Sequence, residues 1–225
     1  MKEKKWNEVL LFSGGMDSFM AYKILGKPKT LYVKMDHRYQ DEEIKRVLAL
    51  VPDTRILDMP VLGQFEEEDA TIPMRNLFLA MMAALQGYTL IWVVTQKDEM
   101  SIPDRSMDFM SKASDMLSSL MGREIVVQTP FEKLDKTDMV QLYIDEGHNI
   151  DELLKTWACY YPVRGEHCGN CPACFRRFVA LKNCKVNPGY KLSTEIKDYY
   201  REKLESYPLS RIRRMSPHLV EEVGL

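Results

Sequence analysis

The sequence predicts an α/β protein: a parallel, Rossmann-like sheet with helices on both faces, followed by a small C-terminal lobe. Three observations predict it. Short apolar runs alternate with longer amphipathic stretches through the first two-thirds of the 225 residues, as strands joined by crossover helices do. The first apolar run ends at a glycine pair that leads straight into a helical pattern. All five cysteines fall in the last third, where the alternation has faded.

Taken in order, Val9-Leu10-Leu11-Phe12 reads as a buried strand. Met20, Ala21, Ile24 and Leu25 then share a helical face, and Gly26 with Pro28 stops that helix. Leu31-Tyr32-Val33 is the second strand. Ile44, Val47, Leu48 and Val51 mark an amphipathic helix that ends at Pro52. Arg55-Ile56-Leu57-Asp58-Met59 is the third strand, and an apolar helix runs from Met74 to Leu85. Its Met-rich stripe reads as core packing. Leu90-Ile91-Trp92-Val93-Val94 is the clearest buried strand. A helix from Phe109 to Leu120, a strand at Ile125-Val126-Val127 and a helix from Lys136 to Glu146, capped by Gly147, complete the pattern.

Composition narrows the function classes. Hydrophobic residues make up 45% of the chain, enough for a sizeable core. A formal net charge of −2 gives no bulk drive toward nucleic acid or a membrane surface. No run of about 18 apolar residues occurs, so no membrane span is expected. The first apolar run is interrupted by Ser13, Gly14, Gly15 and Asp17, which spoils it as a signal-peptide core. A cytoplasmic protein is therefore expected. The basic stretch Arg211-Ile212-Arg213-Arg214 is too short to mark a nucleic-acid site. It reads as a solvated helix face or a dimer contact.

The loop Ser13-Gly14-Gly15-Met16-Asp17-Ser18 sits between a strand and a helix. Glycine lets backbone N–H groups approach phosphate oxygens without a Cβ in the way. A helix N-terminus adds unpaired donors and partial positive charge. Ser13 and Ser18 supply hydroxyls. Asp17 suits a phosphate site if it helps hold Mg²⁺. The loop lacks the Gly-Lys-Ser/Thr ending of Walker loops and the spacing of dinucleotide loops. A plain strand–helix turn capped by Asp17 is the bland alternative. Residues 1–150 are expected to form the nucleotide-binding domain and 151–225 the helical lobe.

That lobe holds Cys168-Gly169-Asn170-Cys171-Pro172-Ala173-Cys174. Thiols at two-residue gaps in a reducing compartment point to metal rather than disulfides. Zinc needs four ligands in a tetrahedron, and spacing alone leaves the fourth open between Cys159 and Cys184. His167 adjoins Cys168 and is a strained candidate. The ferredoxin run needs a fourth cysteine and a proline soon after the third, where Phe175-Arg176-Arg177 stands. A structural zinc, with no open position for chemistry, is the expectation.

Five segments together resemble the 7-cyano-7-deazaguanine synthases of queuosine biosynthesis, within the PP-loop ATP pyrophosphatase superfamily. They are Ser13 to Ser18; Ile72-Pro73-Met74-Arg75-Asn76; Asp98 to Asp104 with its Pro103-Asp104 frame and the later Phe109; Thr129-Pro130-Phe131 with Lys136; and Thr156-Trp157-Ala158-Cys159-Tyr160 followed by the cysteine knuckle and Arg176. The similarity runs from about Val9 to Leu181. It departs at Met35-Asp36-His37-Arg38-Tyr39, which keeps an arginine but loses a Gly-Gln pair. It also departs at Glu99 and Ile102, where aromatic residues are usual, and at Arg105 and Ser106, where cysteine and arginine are usual.

The resemblance implies a PP-loop fold and a reaction. The carboxylate of 7-carboxy-7-deazaguanine attacks the α-phosphorus of ATP, ammonia converts the acyl-adenylate to an amide, and a second adenylation leads to the nitrile. It implies Cys159 as the fourth zinc ligand, with Cys168, Cys171 and Cys174, leaving Cys184 spare. Asp17, Lys136 and Arg75 are the implied catalytic residues. Arg38, Arg75, Asn76, Asp98 and Asp104 are implied on the substrate side, and Ser13 to Ser18 hold ATP with Mg²⁺. Ordinary turn and cap duty for the two aspartates, solvated helix-end charge for Lys136 and Arg75, and simple exposure of Arg176 are the plain alternatives. Trp157 and Tyr160 are expected to pack around the metal lobe. No glutaminase pattern is present, so free ammonia is the expected nitrogen source. A homodimer is implied, without stable nucleic-acid contact. An amidoligase stopping at the amide or adenylating a different acid, tRNA base or protein, and a non-catalytic nucleotide- and zinc-binding module, are the competing readings.

Overall fold

The short apolar runs form five strands: β1 (Glu8–Leu11), β2 (Thr30–Lys34), β3 (Arg55–Asp58), β4 (Leu90–Trp92) and β5 (Val126–Gln128). The structure, a computed structural model, describes residues 5–68 and 70–205. Every strand pair is parallel and the order is β3-β2-β1-β4-β5. The chain steps outward from β1 to β3, then returns to lay β4 on the other side of β1. In open parallel sheets a crevice forms at the carboxyl ends where the order reverses, here between β1 and β4.

Strand side chains alternate between faces. Val9, Leu11, Leu31, Val33, Ile91 and Val127 face α3 (Arg75–Leu85) and α4 (Met107–Met121). Leu10, Phe12 and Tyr32 face α1 (Met16–Ile24), α2 (Gln40–Leu50) and α5 (Lys136–Asp145). Both strand faces are buried, which is why β1 and β2 read as unbroken apolar runs. Three further helices follow: α6 (Ile150–Leu154), α7 (Pro172–Asn183) and α8 (Thr194–Glu205). Leu153 of α6 and Ala180 and Leu181 of α7 join the same core as β1, α1 and α5. Phe175, Phe178 and Val179 on the rest of α7 pack with Ile196 and Tyr200 of α8.

Local chemistry sets the helix ends. Ser106 Oγ accepts from Phe109 N at 3.1 Å to start α4, and Gly122 ends it at φ +62°. Asp135 and Asp138 form a reciprocal capping box at the start of α5. Pro172 opens α7, as its fixed φ allows. Most boundaries shift by a residue or two from the sequence expectation, and two of the shifts bear on the cleft. The third long helix starts at Arg75, because Met74 adopts φ +60° and turns the chain into it. β4 ends at Trp92; Val93 N still donates to Gln128 O at 2.9 Å, and Val93 and Val94 line the crevice. The stretch Arg211 to Arg214 lies outside the described residues. Among the described residues no helix is long and apolar enough to cross a membrane.

Candidate functional site

A cleft of about 270 Å³ opens at the carboxyl ends of β1, β2 and β4. Its floor includes Ser13, Gly15, Met16, Asp17 and Ser18. Gly15 caps α1 without any side-chain acceptor, so the first-turn N–H groups of α1 keep their donors for a ligand. Ser13 Oγ lies 3.3 Å from Ser18 Oγ, and Ser18 Oγ donates to Gly15 O at 3.1 Å. Gly14 holds φ +70°, and a Cβ there would stand 3.0 Å from Val47 N in α2. Gly14→Ala is therefore expected to lower stability by about 1–3 kcal/mol, read as a lower Tm in a thermal melt with unchanged secondary structure. An unchanged Tm would mean that the loop relaxes freely.

Asp17 and Lys136 are brought together by α1 and α5. Lys136 Nζ lies 2.6 Å and 2.5 Å from the two Asp17 oxygens, with both side chains partly buried. Arg75 and Asn76 open α3 and line the opposite wall. Burial works against the Arg75 charge, but Tyr39, Glu43, Tyr160 and Asp104 outweigh it and hold its pKa above the usual value. Asn76 Nδ2 donates to Asp104 O at 2.9 Å, and Asp104 Oδ2 accepts weakly from Asn76 N at 3.4 Å. Asp104 thus sets the start of α3 from behind the cleft wall. Asp98 lines a small neighbouring recess with Asp135, Lys136 and Arg176. Arg38 points elsewhere: it pairs with Glu66 at 2.9 Å and donates to Glu67 O, Glu68 O and Tyr161 Oη, fixing the segment that follows β3.

Several lining residues were not among the site candidates of the sequence. Glu43 accepts from Tyr32 Oη at 3.0 Å and meets His37 Nε2 at 3.1 Å. The Tyr39 ring lies 5.3 Å from that of Tyr160. Glu99 and Arg105 form an ion pair at 2.5 Å on the cleft wall. Four of these, His37, Tyr39, Glu99 and Arg105, stand where the resemblance departs, which was the one available signal. Arg176 is half-buried in the lining rather than exposed. Burial opposes its charge, while Tyr160, Tyr200, Glu99 and Asp17 more than restore it.

Cys159, Cys168, Cys171 and Cys174 converge, their sulfurs all within 4.8 Å of one another. A zinc tetrahedron with bonds of about 2.3 Å has edges of about 3.8 Å, and Cys168 and Cys174 lie 4.0 Å apart. Backbone N–H groups of Cys168, Asn170 and Cys174 donate to Sγ of Cys159, Cys168 and Cys171 at 3.3, 3.3 and 3.5 Å. Such donors favour thiolate charge. Hydrogen bonding with Cys159 and Cys174 pulls Cys171 down, bonding to Cys171 pushes Cys159 up, and bonding to Cys159 and Cys171 pushes Cys174 up. Four such thiols ionise together only around a cation, so the donor set fits a structural zinc. Cys184 stands apart, with Thr137 O 3.6 Å from its sulfur. His167 stacks on Tyr190 at 5.0 Å, outside the sulfur cluster. Burial, with Arg177 and Arg46 nearby, pushes its pKa down to about 4.

The two sites share a wall. Trp157 packs with the cysteines, lines the cleft, and donates its backbone N–H to Gly14 O at 2.9 Å. Residues 49–185 match the family model described as Queuosine biosynthesis protein QueC. That span begins in α2 and includes Arg75, Lys136 and all five cysteines, with the glycine loop upstream of it. It covers more than half of the 225 residues, and the chain belongs to this family of queuosine-biosynthesis enzymes.

Proposed function

We propose that this protein converts 7-carboxy-7-deazaguanine and ammonia to 7-cyano-7-deazaguanine through two adenylations by ATP. The observation that carries the reading is the convergence in one cleft of an open helix N-terminus at the glycine loop with Lys136, Arg75 and Arg176. A carboxylate and a polyphosphate repel each other, and donors plus cations on facing walls offset that repulsion while holding the reactants in line.

In this reading the loop from Ser13 to Ser18 binds the pyrophosphate portion of ATP. Lys136 leaves Asp17 to meet phosphate oxygens, and Asp17 would then be free to hold Mg²⁺, which would supply charge neutralisation for pyrophosphate. Arg75 and Asn76 orient the acceptor, with Asp104 fixing Asn76. Asp98, in the recess beside Lys136, supports that wall, and Arg38 holds the segment from Glu66 to Glu68. The carboxylate oxygen attacks the α-phosphorus and pyrophosphate leaves. Ammonia then attacks the carbonyl carbon and AMP leaves, giving the amide. The amide oxygen takes a second AMP from ATP, and loss of that AMP with two N–H protons leaves the nitrile. The four cysteines hold structural zinc. Small molecules are the only substrates, and a homodimer is the working form.

The test is to incubate zinc-analysed protein with Mg²⁺-ATP, ammonium and 7-carboxy-7-deazaguanine, and to follow the deazapurine by mass. Nitrile with two AMP per product is expected. Amide alone would favour the shorter reaction, with Glu99 and Arg105 as the place to look. An unchanged acid, with folding and zinc intact, would sink the substrate assignment.

A further inference from the structure

Arg177 is only 1% exposed. Its Nη1 donates to Thr156 Oγ1 at 2.5 Å, and its Nη2 donates to Leu153 O and Leu154 O at 3.2 and 3.1 Å. Its Nε is buried with no partner. Among the described residues no carboxylate forms an ion pair with it. A guanidinium this deep without a paired anion is costly, because burial removes its hydration and the negative groups around it, Asp17 among them, do not make up the loss.

The missing anion is one turn away. Cys174 and Arg177 are both on α7, three residues apart and therefore on the same face. Four thiolates around a dication carry a net charge of about −2. The cysteine group has no acidic member, and Arg46 lies over the Trp157 ring at 5.3 Å. On its other side, the Arg177 fork grips the end of α6 and Thr156. The next residue, Trp157, donates to Gly14 O and bridges Gly15.

We propose that Arg177 is a positioning residue that couples the metal centre to the glycine loop. Its charge offsets the surplus negative charge of the metal-loaded thiolates, and its fork sets Thr156 and Trp157 against Gly14. Metal occupancy thereby presets the loop for phosphate. The second half rests on the reading of that loop as a pyrophosphate site.

The test uses the full chain. Zinc affinity is measured by competition with a chromophoric chelator, and affinity for inorganic pyrophosphate by calorimetry, in wild type, R177M, R177K and T156V. R177M is expected to bind zinc about 10- to 100-fold more weakly. R177K keeps the charge and is expected to stay within about threefold of wild type. T156V keeps the charge and breaks the relay, so zinc affinity holds while pyrophosphate binds about 10-fold more weakly. Wild-type zinc affinity in R177M, a loss in R177K as large as that in R177M, or wild-type pyrophosphate affinity in T156V would each overturn the proposal. Should R177M fail to fold, R177K and T156V still decide it. Wild-type protein without measurable pyrophosphate affinity would sink the reading of the loop, whereas the zinc comparison would still judge Arg177.

Discussion

Replacing Cys174 with serine is expected to release the metal and to lower Tm by more than about 10 °C. The sulfur is fully buried and packs with Cys159, Cys171 and Trp157. Binding of structural zinc contributes about 10–16 kcal/mol in small zinc domains, comparable to the whole stability of an ordinary domain at about 5–15 kcal/mol. A lobe that loses its metal keeps the apolar packing of Phe175, Phe178 and Val179 on α8 and of Leu153, Ala180 and Leu181 on the main core, but loses what draws the four sulfurs of the knuckle together. The damage is expected to reach the cleft too, because Trp157 belongs to both. Cys184→Ser is the matched control: its thiol donates to Thr137 O at a long 3.6 Å, so zinc content is expected to stay unchanged and Tm within about 2 °C. Metal analysis and thermal melts of the two variants read this directly. Full zinc in C174S, or zinc loss in C184S, would redraw the ligand set.

The contrast between those two cysteines shows how far residues alone reach. The knuckle from Cys168 to Cys174 is legible because a metal needs clustered thiols, and clustering is visible along a chain. The fourth ligand was not fixed by spacing. It needed either the resemblance or the fold, which brings Cys159 beside Cys168 while placing Cys184 against α5. The strands were legible for a related reason: a parallel strand buried on both faces must be apolar throughout, as Val9 to Phe12 is. What lay across the crevice was not legible. The bond from Trp157 N to Gly14 O joins residues far apart in the chain, and no periodicity encodes it. Glu43 lines the cleft as an ordinary residue type in unremarkable spacing, and Tyr39, Glu99 and Arg105 were marked only as departures from the resemblance. Arg38 shows the reverse case. An arginine in a motif position reads as a substrate cation, yet Glu66 and the carbonyls of Glu67 and Glu68 hold it off the cleft. Charge type was readable; direction needed the fold.

Lys136→Met is expected to lower kcat by about 100- to 1000-fold while moving Tm by less than about 3 °C. The two effects separate for physical reasons. Lys136 is the first residue of α5, where a cation opposes the helix dipole by about 0.3–1 kcal/mol. Against that stands the pair with Asp17, partly exposed on both sides, whose net contribution to stability is of the same order, about 1 kcal/mol or less. The terms nearly cancel, so the fold has little use for the lysine. Chemistry has more. In the proposed adenylation, charge builds on phosphate oxygens as pyrophosphate leaves, in a cleft where donors act at low dielectric, and loss of one preorganised donor there raises the barrier by about 3–4 kcal/mol. Lys136→Arg keeps the charge and is expected to recover part of the rate, limited by a fork that does not fit the pocket shaped for Asp17 and an ammonium. Steady-state AMP release with 7-carboxy-7-deazaguanine, paired with a melt of each variant, makes the comparison. A K136M enzyme within about fivefold of wild type would return Lys136 to the role of a helix-end charge held by Asp17. The nucleotide would then depend on Arg75, Arg176 and the open amides of α1 alone.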